Sequence, residues 1–202
     1  MRDPRGEARQ VFVQPAARVR LPRPGKALRV LEIGFGRGLN TAAALEWLQQ
    51  QGWPGEVEAL GLEPFPERCR PWPGLPAGLA AAFPWWGRIP GPWRHPLHPG
   101  WRGEVRAVAA PRGLEREDRR FDWIFLDLFS PGRHPGDWAP GLFASLARVA
   151  APGAVLTTYS CARRVREGLA ETGWRVERLK PAGRRDTLRA RWSPVPPSSN
   201  AT

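Results

Sequence analysis

Residues 27–48, A-L-R-V-L-E-I-G-F-G-R-G-L-N-T-A-A-A-L-E-W-L, leave this chain few folds to choose from. An apolar run, Leu28–Ile33, ends in three glycines at alternate positions, Gly34, Gly36 and Gly38, and a helix-forming run follows at once. The pattern predicts a strand, a tight glycine turn and a helix over 39–51. In an open α/β sheet such a turn sits at the carboxyl end of its strand, where ligands bind. Glycine lets the backbone bend there and approach a ligand with no Cβ in the way. The helix N-terminus adds unpaired N–H groups suited to polar or anionic ligand atoms.

The rest of the chain extends this unit into a sheet. Its 202 residues suit one domain with a sizeable core. Residues 1–10 are polar and expected to fray; 10–13 and 17–21 alternate enough for two short strands, with a hairpin through Gln14 and Pro15. Residues 22–26 read as a turn. Val57–Leu62 reads as a second strand ending at Glu63 and Pro64, 103–109 as a third, 121–128 as a fourth and 154–159 as a fifth. The fourth, F-D-W-I-F-L-D-L, is almost continuously apolar, as a strand buried on both faces should be. Helices are expected over 140–150 and 161–172, with 112–120 a charged connector. Trp174–Leu179 and 186–192 should close an antiparallel hairpin around 181–184. Strands alternating with helices predict an α/β class with a mostly parallel sheet, helices on both faces and that C-terminal hairpin. The expected division is a lead-in over 1–26, a main domain over 27–192 and a disordered tail over 193–202. An insertion over 64–101, dense in proline and tryptophan, is irregular apart from a short helix at 75–83. Its tryptophans, Trp72, Trp85, Trp86, Trp93 and Trp101, are either a satellite core or an exposed platform for bases, and average tryptophan burial favours the core.

Charge bears on partners. The chain carries 31 Lys+Arg against 19 Asp+Glu, a net charge of +12, which favours a polyanionic partner with nucleic acid first. All but Lys26 and Lys180 of the basic residues are arginine, whose planar fork suits phosphate. Arginine, alanine, glycine and proline are raised together, however, which a GC-rich genome also produces. Cys69 and Cys161 have neither metal-like spacing nor a disulfide framework, and His95 and His98 sit among prolines as loop residues. No apolar run nears the ~18 residues that span a bilayer, and residues 1–10 lack an apolar signal region. The expectation is a cytoplasmic monomer with no metal and no membrane contact.

The glycine spacing is neither G-x-G-x-x-G nor a Walker loop, so a nucleoside triphosphatase is not expected. Two acids sharpen the reading. Glu63 ends the second strand, where a carboxylate can accept both ribose hydroxyls of a nucleoside cofactor. Asp127 ends the fourth beside the same crevice. Glycine loop, acid, then acid is the layout of Rossmann-like class I S-adenosylmethionine-dependent methyltransferases.

Several blocks then resemble one family. E-I-G-F-G-R-G-L-N at 32–40 is similar to the E-x-G-F-G-T-G-L-N signature of the MnmC-like tRNA wobble-uridine methyltransferases. F-D-W-I-F-L-D-L-F-S-P-G-R-H-P-G-D-W at 121–138 resembles the family's D-x-x-F-L-D-G-F-A-P-x-x-N-P-x-M-W, the most specific block. L-F-A-S-L-A-R-V-A-A-P-G-A-V-L-T-T-Y-S at 142–160, V-R-E-G-L-A-E-T-G-W at 165–174 and G-R-R-D-T-L at 183–188 resemble later family blocks. The resemblance implies a stand-alone methyltransferase form, without the flavin-dependent oxidase domain of the bifunctional members. It implies N-methylation of an aminomethyl group on the wobble uridine of tRNA, with S-adenosylmethionine as donor. In that reading Glu32, Gly34, Phe35, Gly36, Gly38, Asn40, Glu63 and Asp127 bind the cofactor. Asp127, with the turn Phe129, Ser130 and Pro131, receives the substrate amine, and Asn40 either caps the helix or holds the cofactor's carboxylate end. Arg133, His134, Arg163, Arg164, Arg166, Arg184 and Arg185 are the expected tRNA contacts. Two departures stand out: Ala109 and Ala110 replace a Gly-Asp whose acid would read adenine, and Leu128 replaces a glycine, predicting a narrower acceptor pocket. The alternatives are a small-amine methyltransferase or polyamine-synthase-like enzyme of the same fold, and a non-catalytic RNA-binding relative.

Overall fold

The structure, a computed structural model, describes residues 4–21, 25–69, 83–85, 89–180 and 185–193. The chain enters through two short helices, α1 (Pro4–Ala8) and α2 (Gln14–Ala17), joined by a π-helical turn at Arg9–Val13. The expected frayed end and short strands are therefore corrected to a continuous helical segment. Its buried residues, Ala8, Phe12, Val13 and Ala16, follow a helical rather than a twofold repeat. Pro15 sits in the first turn of α2 and is buried. The segment is bolted to the sheet: Thr157 Oγ1 donates to the Phe12 carbonyl, and Trp123 Nε1 to the Arg20 carbonyl at 2.6 Å. Arg20 also grips buried Asp122 at 2.9 Å.

The main unit runs β1 (Leu28–Ile33), α3 (Leu39–Gln50), β2 (Val57–Leu62), β3 (Gly91–Arg94), β4 (Trp101–Arg106), α4 (Ala110–Leu114), β5 (Phe121–Leu126), α5 (Pro140–Arg148), β6 (Ala150–Thr158), α6 (Arg163–Glu171), β7 (Trp174–Leu179) and β8 (Thr187–Trp192). The eight strands order as β3-β4-β2-β1-β5-β6-β8-β7. The central five, β4-β2-β1-β5-β6, are parallel; β3 at one edge and the β8-β7 pair at the other are antiparallel. β1 is flanked by β2 on one side and β5 on the other, so the chain reverses direction across the sheet at the end of β1. That is the crevice in which doubly wound sheets bind ligands.

Alternate residues of each strand feed opposite cores. Leu28, Val30, Val57 and Ala59 pack with α3 and the N-terminal helices, whereas Leu31, Ile33, Leu60 and Leu62 pack with α4, α5 and α6. Every residue of β5 is buried. Trp85, Trp93 and Trp101 are buried, as favoured, but in the first of these main cores and not in a satellite; Trp72 and Trp86 lie outside the described residues. So do residues 75–82 of the helix expected at 75–83, residues 22–24 of the turn expected at 22–26, the hairpin tip at 181–184 and residues 194–202 of the expected tail. The irregular insertion contains one strand the sequence hides, β3, where Pro92 is tolerated because the strand lies at the edge. The charged connector begins with α4 and continues into an ion-pair cluster.

In that cluster Glu117, almost fully buried, meets Arg119 at 2.7 Å and Arg106 at 3.1 Å, while Glu104 meets the same two arginines. Part of the arginine excess is thus structural. The Arg119 hydrogen bond, against the opposing effect of burial, holds the Glu117 carboxyl down at about 2. Its folded value lies below the unfolded one, so its contribution to stability is present above about pH 4.5 and is lost as pH falls from there to about 2. Glu117→Gln should therefore melt below wild type at pH 7, with the gap closing through that window. A gap unchanged from pH 7 to pH 2 would show that the pair adds nothing.

Among the described residues no helix is long and apolar enough to cross a membrane, and no group of three or more His, Cys, Asp or Glu is arranged to hold a metal. His98 stacks on Trp101 and His95 meets that ring edge-on, and burial pushes the His95 imidazole below its usual value.

Candidate active site

The glycine turn is built by contacts no other residue permits. Gly34, Gly36 and Gly38 have φ of +77°, +50° and +76°, the left-handed region that costs an L side chain strain. The Gly34 and Phe35 amides both donate to the Leu62 carbonyl, and the Asp127 amide donates to the Ile33 carbonyl at 2.9 Å. A Cβ on Gly34 would collide with the Asp127 carbonyl; one on Gly36 would meet nothing within 4 Å. The turn is thus locked against the end of β5 on one side and open on the other.

The open side is a cavity of about 420 Å³. Its walls are the residues just past the ends of the parallel strands: Gly34 and Gly36 after β1, Glu63 and Phe65 after β2, Asp127 and Phe129 after β5, Tyr159 after β6. Glu63 is buried and fixed by two backbone donors, Gly36 N at 2.9 Å and Phe65 N at 3.0 Å. Each carboxylate oxygen has two acceptor sites, so both keep one for a ligand hydroxyl. Ala109, Ala110 and Pro111 form an apolar wall beside it, in the place where the resemblance would put an acid. Leu128 also lines the cavity.

Asp127 accepts one hydrogen bond, from Asn40 Nδ2 at 2.8 Å. Burial pushes its carboxyl up to about 6, against the pull of that bond. The same Asn40 nitrogen donates to Glu32 Oε1 at 2.9 Å. Glu32 is buried behind the turn, and its other oxygen accepts from Thr41 N and Thr41 Oγ1 in the first turn of α3. Burial pushes Glu32 up to about 8, opposed by the Thr41 bond and helped by the Asp127 charge. Asn40 therefore neither caps the helix nor reaches the cavity; it spans two carboxylates and sets the direction of Asp127.

The structure divides the expected site residues. Gly34, Gly36, Glu63, Asp127, Phe129 and His134 line the cavity. Glu32, Phe35, Gly38 and Asn40, also expected to bind the cofactor, are not among the lining residues. Phe35 is packed in the core against Gly61, Gly38 and Trp85, because glycine at 61 and 38 leaves room for its ring. Ser130 and Pro131 do not line the cavity either: Pro131 is buried, and the Ser130 carbonyl closes the turn by accepting from Arg133 N and His134 N. Arg133, Arg163, Arg166 and Arg185 are exposed. Arg163 pairs with Glu167 along α6, and Arg164 ties α6 to the Pro135 carbonyl at 3.2 Å. Arg184 lies outside the described residues.

Sequence reasoning missed Phe65, Arg68, Asp137 and Tyr159, all in the cavity wall. Phe65 and Tyr159 carry a usable signal, since each lies within three residues of a parallel strand's carboxyl end. The Tyr159 hydroxyl donates to the Leu128 carbonyl at 2.6 Å, pinning the peptide beside Asp127.

This arrangement is that of a class I S-adenosylmethionine-dependent methyltransferase: a parallel sheet with an antiparallel C-terminal pair, and a cofactor crevice at the end of β1. The family described as S-adenosyl-L-methionine-dependent methyltransferase matches residues 101–192, which include Asp127 and the block after it. Over nearly its whole length the chain is similar to MnmC proteins. It is 34% identical over 214 residues to the tRNA 5-methylaminomethyl-2-thiouridine biosynthesis bifunctional protein MnmC of Pseudomonas paraeruginosa, covering 96% of this chain and 32% of that one. It is 35% identical to the protein of that name from Methylibium petroleiphilum, covering 83% and 28%. The chain thus spans about a third of the length of the curated relatives it matches. The crystal structure of MnmC2 from Aquifex aeolicus superposes with a TM-score of 0.78 at 24% identity, covering 96% of this chain and 62% of that one. The glycopeptide N-methyltransferase MtfA complexed with S-adenosylmethionine shares the fold at a TM-score of 0.52 and 17% identity, covering 95% of each chain.

The residues present suit that cofactor. The cavity volume falls within the usual range for small-molecule sites, about 300–1,000 Å³. Gly36 leaves a bare backbone, Glu63 offers two acceptor positions for vicinal hydroxyls, and Ala109 to Pro111 give an apolar face for a purine ring. Asp127, Glu63 and Asp137 make the lining acidic toward a sulfonium cation.

Proposed function

We propose that this chain transfers a methyl group to the aminomethyl nitrogen on the wobble uridine of tRNA. The observation that carries the proposal is the placement of Asp127. It sits directly across the glycine turn from Glu63, buried enough to have a raised proton affinity, and held by Asn40 with its carboxylate in the cavity wall.

Gly34, Gly36 and Glu63 would hold S-adenosylmethionine, which would supply an electrophilic methyl group when bound. The chain's own residues do the rest. An amine attacks only when neutral, so it must lose a proton before its lone pair is free. Asp127 accepts that proton and passes it to solvent. Asn40 fixes the carboxylate, and Tyr159 fixes the adjoining peptide, so the nitrogen is held in line with the methyl. Positioning of this kind supplies much of the catalysis in a displacement. Arg133 and His134 at the cavity mouth, with Arg163, Arg166 and Arg185, offer positive charge to the anticodon-region phosphates.

The alternative substrate, a small polyamine, is disfavoured by the charge of +12. The two are separated by offering the full chain hypomodified bulk tRNA and a set of small amines in parallel, with nucleoside mass spectrometry on the RNA. Methylated wobble nucleoside is expected from the tRNA alone, with affinity for tRNA falling steeply between 50 and 200 mM salt. Turnover of free amines with unaltered tRNA would overturn the proposal.

A further inference from the structure

The mouth of the cavity carries an exposed stack that the cofactor reading leaves unused. The Arg68 guanidinium lies over the Phe65 ring at 4.1 Å and over the Phe129 ring at 5.0 Å. Phe129 in turn meets the His134 ring at 4.9 Å, tilted by only 30°. Phe65 and Phe129 are each 47% exposed, although the tryptophans of the first core are buried. All four residues line the same cavity as Asp127, and Phe129 is two residues from it.

We infer that Phe129 and His134, backed by Arg68 and Phe65, are the stacking platform for a pyrimidine base extruded from an RNA loop. The inference rests on the methyltransferase reading above and adds how the acceptor is gripped. Apolar side chains clustered and exposed beside a polar cavity mark a binding surface. Flat π faces with interleaved cations suit a nucleobase, which stacks on rings and guanidinium planes alike. The platform is preorganised. Trp138 Nε1 donates to the Phe129 carbonyl at 2.7 Å, Tyr159 holds the Leu128 carbonyl, and the Ser130 carbonyl accepts from the Arg133 and His134 amides. A base must leave its own stack to reach Asp127, and it does so most readily from a single-stranded loop. The platform replaces the stacking the base loses, and exposed Arg133 adds positive charge for the flanking phosphates, while Arg68 also pairs with Glu63 at 3.9 Å.

The test is binding of an anticodon stem-loop RNA to the full chain, read by fluorescence anisotropy without methyl donor. One RNA carries 5-aminomethyluridine at the wobble position and the other is abasic there. Wild type should prefer the base-bearing loop by about tenfold or more. Phe129→Leu, which keeps apolar bulk but removes the π face, and His134→Ala should each reduce that preference severalfold. His134 is exposed, so its variant keeps the test valid if Phe129→Leu melts early. A wild-type preference that both variants retain overturns the platform and leaves the methyltransferase reading standing. A wild type with no preference for the base overturns both.

Discussion

Asp127→Asn should lower methyl transfer by roughly a hundredfold to ten-thousandfold, the usual contribution of a positioned general base, with a much smaller loss of cofactor affinity, because Glu63 and Asp137 keep the lining acidic. The substitution keeps the shape and still offers Asn40 an acceptor, so only the proton-accepting charge is lost. Stability should move the other way. Burial raises the Asp127 carboxyl from 3.8 to about 6, so the folded protein binds this proton more tightly than the unfolded chain. Stability is then lost as pH rises from about 4 to about 6, and that cost persists at pH 7. The neutral variant escapes it and should melt at or above wild type at pH 7, with the difference vanishing below about pH 4. In wild type the rate should fall as pH drops through about 6, where the carboxylate takes up its proton. A variant as active as wild type, or a rate flat from pH 7 to pH 5, would remove Asp127 from the chemistry.

The second large effect is on the turn itself. Gly34→Ala places a Cβ against the Asp127 carbonyl in a backbone conformation reserved for glycine. Left-handed strain and overpacking together should cost about 3 kcal/mol or more, or ~10 °C in melting temperature for a chain of this size. Gly36→Ala separates the two roles of the loop. Its Cβ meets no neighbour and points into open space at the cavity, so the fold should lose only about 1 kcal/mol of backbone strain. Cofactor affinity, measured by titration calorimetry, should fall far more than stability. Equal melting losses in the two variants would show that the turn is a packing device only.

What the sequence made legible followed from local rules. β1 and β2 were readable as apolar runs bounded by glycine or proline, α3 as the helix-forming run after the glycine turn, and β7 and β8 as short alternating runs. Glu63 and Asp127 were readable because a carboxylate straight after a buried strand has one place to go, the strand-end crevice. The N-terminal segment was not. V-F-V and A-R-V-R-L alternate over so few residues that period 2 and period 3.6 fit equally, and only the packing of Phe12 on Phe125 shows which face is inward. β3 hid behind Pro92, since an edge strand tolerates what a central strand would not. At the site, the roles of Glu32 and Asn40 depended on direction. Both lie in the glycine signature, yet they face away from the cavity and act on Asp127 from behind. Arg68 became visible only once the strand order brought the ends of β2, β5 and β6 around one cavity.

The account rests on where the methyl group ends up. With methyl-labelled S-adenosylmethionine and tRNA bearing 5-aminomethyluridine at the wobble position, digestion to nucleosides should find the label on the exocyclic nitrogen of that one nucleoside. The same digest from Asp127→Asn should be nearly unlabelled. Label on a ring atom, on a ribose or on another nucleoside would contradict the account, as would transfer that survives the loss of the Asp127 carboxylate.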